Sequence, residues 1–297
     1  MLKGNAKINE VGPRDGLQNE SFFVPTEDKI AWINQLSHTG MKYIEITSFV
    51  NPKWIPALAD AGEVAKRIER VPGVVYAALV PNPKGLERAL EAHVDEVSIF
   101  MSASDTHNQK NINKSINQTF SVLREVAEES LAAGKTVRGY LSTVFGCPYK
   151  GSVRVEEVIS VSEALFDMGI RELSLGDTIG VANPRQVQEV LEVLLKRFPA
   201  DRLAMHFHDT RGTAMANVLA SLDMGITTFD SSIGGLGGCP YAPGASGNLA
   251  TDDLLYMLHG MGIQTGIDYD QLLGTARFIQ EKMGRKLPSH SLLALGG

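Results

Sequence analysis

"DMGIRELSLGDT", residues 167–178, places a glycine where a helix should stop and follows it with a short β-prone run ending in polar residues. Glycine takes the left-handed conformation that closes a helix, and the run after it reads as a strand. The same unit recurs at "HTGMKYIEITSF" (38–49), "AAGKTVRGYLSTVF" (132–145) and "DMGITTFDSSIGG" (223–235). Weaker copies are "VPGVVYAALVPN" (71–82), "EAHVDEVSIFMS" (91–102) and "FPADRLAMHFHD" (198–209). With the opening segment "AKINEVGPRD" (6–15) there are eight strand candidates. Most are followed by helical patterns, such as 26–39, 114–133, 152–168 and 184–198.

Eight strands alternating with helices predict an α/β fold, a single (β/α)8 TIM barrel. No linker, charge block or low-complexity stretch divides the chain, so residues 1–297 read as one domain, with about 268–297 as a short C-terminal helical extension. The competing architecture is a doubly wound open sheet. It wants longer apolar strands and a Gly-rich turn after the first strand. Neither is present, and no GxGxxG or GxxxxGK[ST] occurs in a strand-to-helix setting.

Composition narrows the function classes. The chain is 43% hydrophobic with a formal charge of −6, which argues against nucleic acid or an anionic membrane as main partner. No apolar run approaches the ~20 residues needed to span a bilayer. The two cysteines, Cys147 and Cys239, are far apart and form no disulfide framework or zinc-type cluster. The N-terminus "MLKGNAKINEV" lacks a secretory h-region and an Arg-rich arm. A soluble protein of a reducing compartment is expected, and the sequence leaves room for a homo-oligomer.

Strand parity locates a site. In "YIEITSF" Ile44 and Ile46 share one face while Glu45 and Thr47 share the other. Arg138, Tyr140 and Ser142 form the polar face of "TVRGYLSTV", and His206 and His208 share a face of "LAMHFHD". Buried charge must be paired or bound to a ligand, so interiors this polar predict a site inside the barrel mouth.

Two histidines two apart on a strand can share one ion. Asp15 lies just past the first strand and Asn248 just past the eighth. Strands one, seven and eight are neighbours in a closed barrel, so Asp15, His206, His208 and Asn248 can converge. Two imidazoles, a carboxylate and an amide oxygen suit Mg²⁺ or Mn²⁺ better than a catalytic Zn²⁺. Asp209, on the opposite face, reads as a helix cap. Arg14, beside Asp15, is either an ion-pair residue or a stabiliser of a developing oxyanion. Glu45 needs a partner, Arg14 or Arg138, and either orients the arginine or touches substrate. Asp177, ending "SLGD", either caps the next turn or holds a metal-bound water.

"GCPY" occurs twice, as Cys147 in "FGCPYKG" and Cys239 in "GGCPYAPG". Only Cys239 is embedded in many glycines, which permit large backbone excursions. Pro240 favours extended geometry at Cys239 itself. A reactive residue in such a loop describes an active-site lid; for Cys147 a packing role is expected.

The segments "EVGPRDGLQNE" (10–20), "IEITSFVNPKW" (44–54), "KNINKS" (110–115), "VRGYLSTVFGCPY" (137–149), "SLGDTIG" (174–180), "HFHDT" (206–210) and "GGLGGCPYAPGASGNLATDDLLYML" (234–258) together resemble the 3-hydroxy-3-methylglutaryl-CoA lyases. The likeness runs from about Ile8 to about Met283. It implies a TIM-barrel lyase that cleaves (S)-3-hydroxy-3-methylglutaryl-CoA into acetyl-CoA and acetoacetate in leucine breakdown. It further implies divalent-metal ligands at Asp15, His206, His208 and Asn248, a catalytic Arg14 and a catalytic Cys239. Asp15 and His206 are the candidates for general base. Arg14, Glu45, Asp177 and Arg138 are the candidate substrate contacts, although the residues of the CoA site are not readable. The ends "MLKGNAKINEV" and "SLLALGG" lack the organelle signals of animal members, so a cytoplasmic, bacterial-type form is expected. A related 3-hydroxyacyl-CoA lyase and an acyl-CoA/2-oxo acid condensing enzyme are the rival activities. A barrel kept as a binding module would not need metal ligands, arginine and thiol together.

Overall fold

In the computed structural model of the chain, residues 4–20, 22–238 and 246–295 are described. The glycines of the repeat stop their helices as expected: Gly169 and Gly225 have φ of 88° and 85°, where a side chain would be strained. The strands are β1 (Lys7–Glu10), β2 (Tyr43–Ser48), β3 (Val75–Leu79), β4 (Glu96–Ser102), β5 (Thr136–Ser142), β6 (Glu172–Asp177), β7 (Leu203–Phe207) and β8 (Thr228–Ser231). Each lies within one of the eight segments read from the sequence. The helices are α1 (Thr26–His38), α2 (Ala61–Arg67), α3 (Pro83–Glu91), α4 (Asp105–Ile112), α5 (Ile116–Ala132), α6 (Val155–Phe166), α7 (Pro184–Leu194), α8 (Ala214–Asp223), α9 (Thr251–Gly260), α10 (Tyr269–Met283) and α11 (His290–Ala294).

The eight strands pair in chain order and all parallel, and β8 closes on β1 through Asn9–Asp230 and Glu10–Ser231. This is the (β/α)8 barrel. Parallel neighbours require crossover connections, and the helices supply them on the outside. Between sheet and helices lies the apolar core, where Val97, Ile99, Leu173, Leu175, Met205 and Phe207 are buried with Val126, Leu165 and Leu191. The interior is polar instead: Asn9, Glu45, Glu96, Arg138, Ser174 and Asp230 are all buried.

Local chemistry sets the helix ends. Ser115 and Gln118 form a reciprocal capping box that starts α5, and the Asn183 side chain accepts from Gln186 N ahead of Pro184 in α7. Such caps contribute about 1 kcal/mol each. Two details depart from the simple reading. The β2–β3 pairing shifts register between Glu45 and Thr47, so the strict alternation fails there. A separate short helix, α4, ends at Asn113 in the left-handed conformation before α5 begins.

Helices α10 and α11 follow the eighth unit. Asp253 accepts from the backbone N–H groups of His290 and Ser291, and Asp252 accepts from Ser289 Oγ. Leu287 packs where a side chain on Gly234 (φ 66°) would stand, which joins this extension to the chain just after β8. Among the described residues no helix is long and apolar enough to cross a membrane.

Candidate active site

Beyond β1 the chain makes one wide helical turn, Gly12–Gly16. The N–H groups of Arg14, Asp15 and Gly16 all point at the Val11 carbonyl, at 3.1, 2.7 and 3.3 Å. Widened turns of this kind recur at functional sites, and this one brings Arg14 and Asp15 to the mouth together. Glu10 braces it from below. Its Oε1 accepts from Gly12 N and Ile233 N, at 2.8 and 2.9 Å, and Oε2 accepts from Thr251 Oγ1 at 2.7 Å. Burial pushes the Glu10 carboxyl up to about 7 against the pull of those donors.

A raised folded pKa means that the native state holds the proton more tightly than the unfolded chain. Stability from this group is therefore fully present below about pH 4.5 and lost as pH rises to about 7. Glutamine can keep both amides on its oxygen, so Glu10→Gln removes the titration and not the brace. Wild type should lose on the order of 3 kcal/mol relative to Glu10→Gln across that window. Denaturant melts at pH 4.5 and 7.5 check it, and parallel profiles for the two proteins would refute it.

Arg14 is almost fully buried, yet its charge is secured. Nε donates to Glu45 Oε2 at 2.5 Å and Nη1 to Asp15 Oδ1 at 2.6 Å, with the Tyr140 ring 5.1 Å from the guanidinium. Burial opposes the cation, but Glu45 and Asp15 outweigh it and raise the pKa further. Its Nη2 makes no protein hydrogen bond among the described residues. Glu45 also accepts from Tyr140 O–H at 3.1 Å and is fully buried. Its Oε2 thus grips Arg14 and Tyr140, while its Oε1 is buried without a partner among the described residues.

His206 and His208, from β7 and just beyond it, meet Asp15 across the mouth. One donor atom from each of the three lies within 4.8 Å of the others. His206 Nε2 is 3.7 Å from Asp15 Oδ2. Asn248 does not directly follow β8, which ends at Ser231. The chain returns after 16 intervening residues and bridges His208 in antiparallel fashion, with Leu249 N donating to the Phe207 carbonyl. That return puts Asn248 Nδ2 on Asp15 Oδ2 at 2.8 Å, while Asn248 Oδ1 is buried without a partner. Burial, reinforced by His206, pushes His208 down to about 4, so its imidazole is neutral at pH 7. Burial works against the Asp15 anion, but Arg14 and the histidines hold its carboxyl below the usual range. A neutral imidazole, an ionised carboxylate and an orphaned amide oxygen are a donor set that fits a divalent cation.

Two proposed substrate contacts sit elsewhere. Arg138 has no exposed surface and lies below the mouth, with Nε on Glu172 Oε1 at 2.7 Å and Nη2 on Asp230 Oδ1 at 2.8 Å. An arginine held between two buried carboxylates balances interior charge, and Arg138 is not among the residues that line the cavity. Asp177 turns both oxygens to backbone amides, Val181 N at 2.9 Å and Ala182 N at 3.0 Å. It caps the loop after β6 and lies within electrostatic reach of His206. Asp209 likewise accepts from Ala214 N and caps α8.

Cys147 is buried; its sulfur accepts from Ser104 Oγ at 3.2 Å, and its backbone is bridged to Gly151. That is a packing environment. Cys239 lies outside the described residues. Sequence reasoning missed Glu10 and Asp230, each buried on a strand, Asp230 pointing inward and Glu10 outward to Thr251. Their only signal was an acidic residue inside "INEV" and "TFDSS".

Arg14, Asp15, His206 and His208 line the floor of a cavity of about 640 Å³. It runs outward past Tyr140 and Ser142 to Asn111, Lys114 and Trp54. Trp54 is 74% exposed at its rim, and the cavity is large enough for a ligand much longer than the cluster alone would hold.

A closed barrel whose strand ends converge on a donor set suited to a divalent cation, beside a secured arginine, defines a class: metal-assisted (β/α)8 barrel enzymes. The HMGL-like family model matches residues 5–279, and the chain belongs to that family. It is 64% identical to hydroxymethylglutaryl-CoA lyase YngG of Bacillus subtilis, over 96% of this chain and 95% of that one. The mitochondrial hydroxymethylglutaryl-CoA lyase of Gallus gallus is 50% identical over 95% of each chain. A crystal structure of the B. subtilis HMG-CoA lyase superposes with a TM-score of 0.98 at 62% identity, covering 99% of this chain and 98% of that one. An HMG-CoA lyase from Acinetobacter baumannii, in complex with coenzyme A and 3-methylmalate, gives 0.93 at 43% identity, covering 99% and 95%.

Proposed function

We propose that this chain is a carbon–carbon lyase that cleaves (S)-3-hydroxy-3-methylglutaryl-CoA into acetyl-CoA and acetoacetate. The observation that carries the reading is the near-full-length identity to hydroxymethylglutaryl-CoA lyases, at 64% and 50%. The mouth supports it independently, because its groups match what this bond cleavage requires. The finer parts of the reading are Mg²⁺ or Mn²⁺ as the ion, leucine breakdown as the setting and the cytoplasm as the location. For the ion, the support is the mixed nitrogen and oxygen donor set.

Asp15, His206, His208 and Asn248 would hold the cation, which supplies Lewis acidity toward the C3 hydroxyl. The hydroxyl proton goes to Asp15. His206 has Nδ1 toward Asp230 and would give Nε2 to the cation, which leaves the Asp15 carboxylate as the acceptor. As the C2–C3 bond breaks, the electron pair moves onto the thioester and forms the acetyl-CoA enolate. Arg14, held by Glu45 and Asp15, faces that charge with Nη2 and stabilises it without reorganising. Cys239 then delivers a proton to the enolate carbon; a thiol near its ordinary pKa of ~8.5 is protonated at neutral pH. Lys114 and Trp54 at the rim suit the phosphate and base of a CoA carrier.

Arg14→Lys keeps the charge but loses the planar fork that Glu45 and Asp15 grip. It should lower kcat by about 10²-fold with KM little changed, as for a lost oxyanion donor. Steady-state kinetics check this, and a raised KM at unchanged kcat would make Arg14 a binding residue. The activity itself is tested with (S)-3-hydroxy-3-methylglutaryl-CoA and Mg²⁺, expecting equimolar acetyl-CoA and acetoacetate. Faster turnover of another 3-hydroxyacyl-CoA, or condensation of acetyl-CoA with a 2-oxo acid, would assign the site to a rival reaction.

A further inference from the structure

The two site histidines are not equivalent. Neither Nδ1 makes a regular hydrogen bond among the described residues, but only that of His206 faces a carboxylate. His206 Nδ1 stands 3.4 Å from Asp230 Oδ2, on the adjacent strand at the paired position. We infer that Asp230 is a positioning residue for the reaction: it fixes His206 with its proton on Nδ1 and so turns the Nε2 lone pair toward Asp15 and the mouth.

The surroundings of Asp230 leave it no other behaviour. Oδ1 accepts from Asn9 Nδ2 at 3.1 Å and from Arg138 Nη2 at 2.8 Å. Oδ2 accepts from Ser174 Oγ at 2.7 Å and from Arg138 Nη1 at 3.3 Å. Four donors from β1, β5 and β6 make it a fully ionised, acceptor-only group, pinned so that it cannot swing away. Of the two imidazole nitrogens, Nδ1 lies nearer a carboxylate, 3.4 Å from Asp230 Oδ2 against 3.7 Å from Nε2 to Asp15 Oδ2, and it is the one that carries the hydrogen in the neutral ring. The second nitrogen, Nε2, is 3.7 Å from Asp15 Oδ2, on the side where the donors converge. A carboxylate behind a ligating histidine orients the ring and raises its basicity. Arg138, buried and not among the residues that line the cavity, thereby gains a purpose: it holds Asp230 in place and neutralises one of the negative charges beneath the site.

This inference rests on the metal-binding reading of the mouth, and the experiment separates the two. Nitrogen-15 spectra of the full-length, metal-free chain should show His206 as the Nδ1–H tautomer; the Nε2–H tautomer would overturn the inference without any variant. Mn²⁺ titration then compares wild type with Asp230→Asn and Glu172→Gln. Glu172 shares Arg138 and Asn9 with Asp230 but does not touch His206. Asp230→Asn should weaken Mn²⁺ binding about 10–100-fold, while Glu172→Gln should leave it within about threefold of wild type by the same measure. Equal affinity in wild type and Asp230→Asn, or an equal loss in Glu172→Gln, would overturn the role of Asp230 alone. No Mn²⁺ binding by wild type would overturn the metal reading and this inference with it.

Discussion

Exhaustive treatment with EDTA should abolish acetoacetate formation, and Mg²⁺ or Mn²⁺ should restore it. This is the largest effect expected, because the donors converge on one point and two of them lack the partner that an ion would supply. Asn248 Oδ1 is orphaned, His208 is neutral, and Asp15 is held ionised beside them. His208→Ala should weaken metal binding by more than the ~10–100-fold cost of losing an outer partner. The fold should survive, since the β7 core is built from Leu203, Met205 and Phe207 on the opposite face. Calorimetric metal titration and thermal melting of the variant check both halves. Full activity after chelation would remove the metal from the account.

Cys239→Ser should lower kcat by roughly 10²–10⁴-fold, the range for a general acid, because a hydroxyl donates a proton far less readily than a thiol. Cys147→Ser, in the same four-residue motif, should leave kcat within about twofold. The Cys147 sulfur is occupied by Ser104 Oγ and Lys150 N, and its backbone is tied to Gly151. Rates of the two variants, measured side by side, decide the matter. If serine were tolerated at 239 and inactivating at 147, the glycine-rich setting would have been the wrong guide and the final proton transfer would need another donor.

The fold was legible because the four clearest units announce themselves twice, by a glycine that ends a helix and by a β-branched run that follows. Gly169 before "IRELSL" and Gly225 before "ITTFDS" are of this kind. The mouth was legible where one strand carries two donors, as in His206 and His208, since parity alone puts them together. It was less legible where long-range pairing decides. Asn248 reaches the site by an antiparallel bridge to His208 and not by position after β8. Arg138 looked like a substrate contact because its partners, Glu172 and Asp230, lie on other strands, and their depth in the barrel depends on register. Asp177 could be read either way from the sequence, which does not place the amides of Val181 and Ala182 on it. The β2 shift at Glu45 has no sequence signature at all.

The central claim is that one divalent cation sits at the barrel mouth among Asp15, His206, His208 and Asn248. Anomalous scattering from a crystal of the full-length chain grown with Mn²⁺ tests it most directly. The account predicts a single strong peak bonded to Asp15, His206, His208 and Asn248 Oδ1, with Arg14 beside it. A peak elsewhere, or none at the mouth at saturating Mn²⁺, would contradict it.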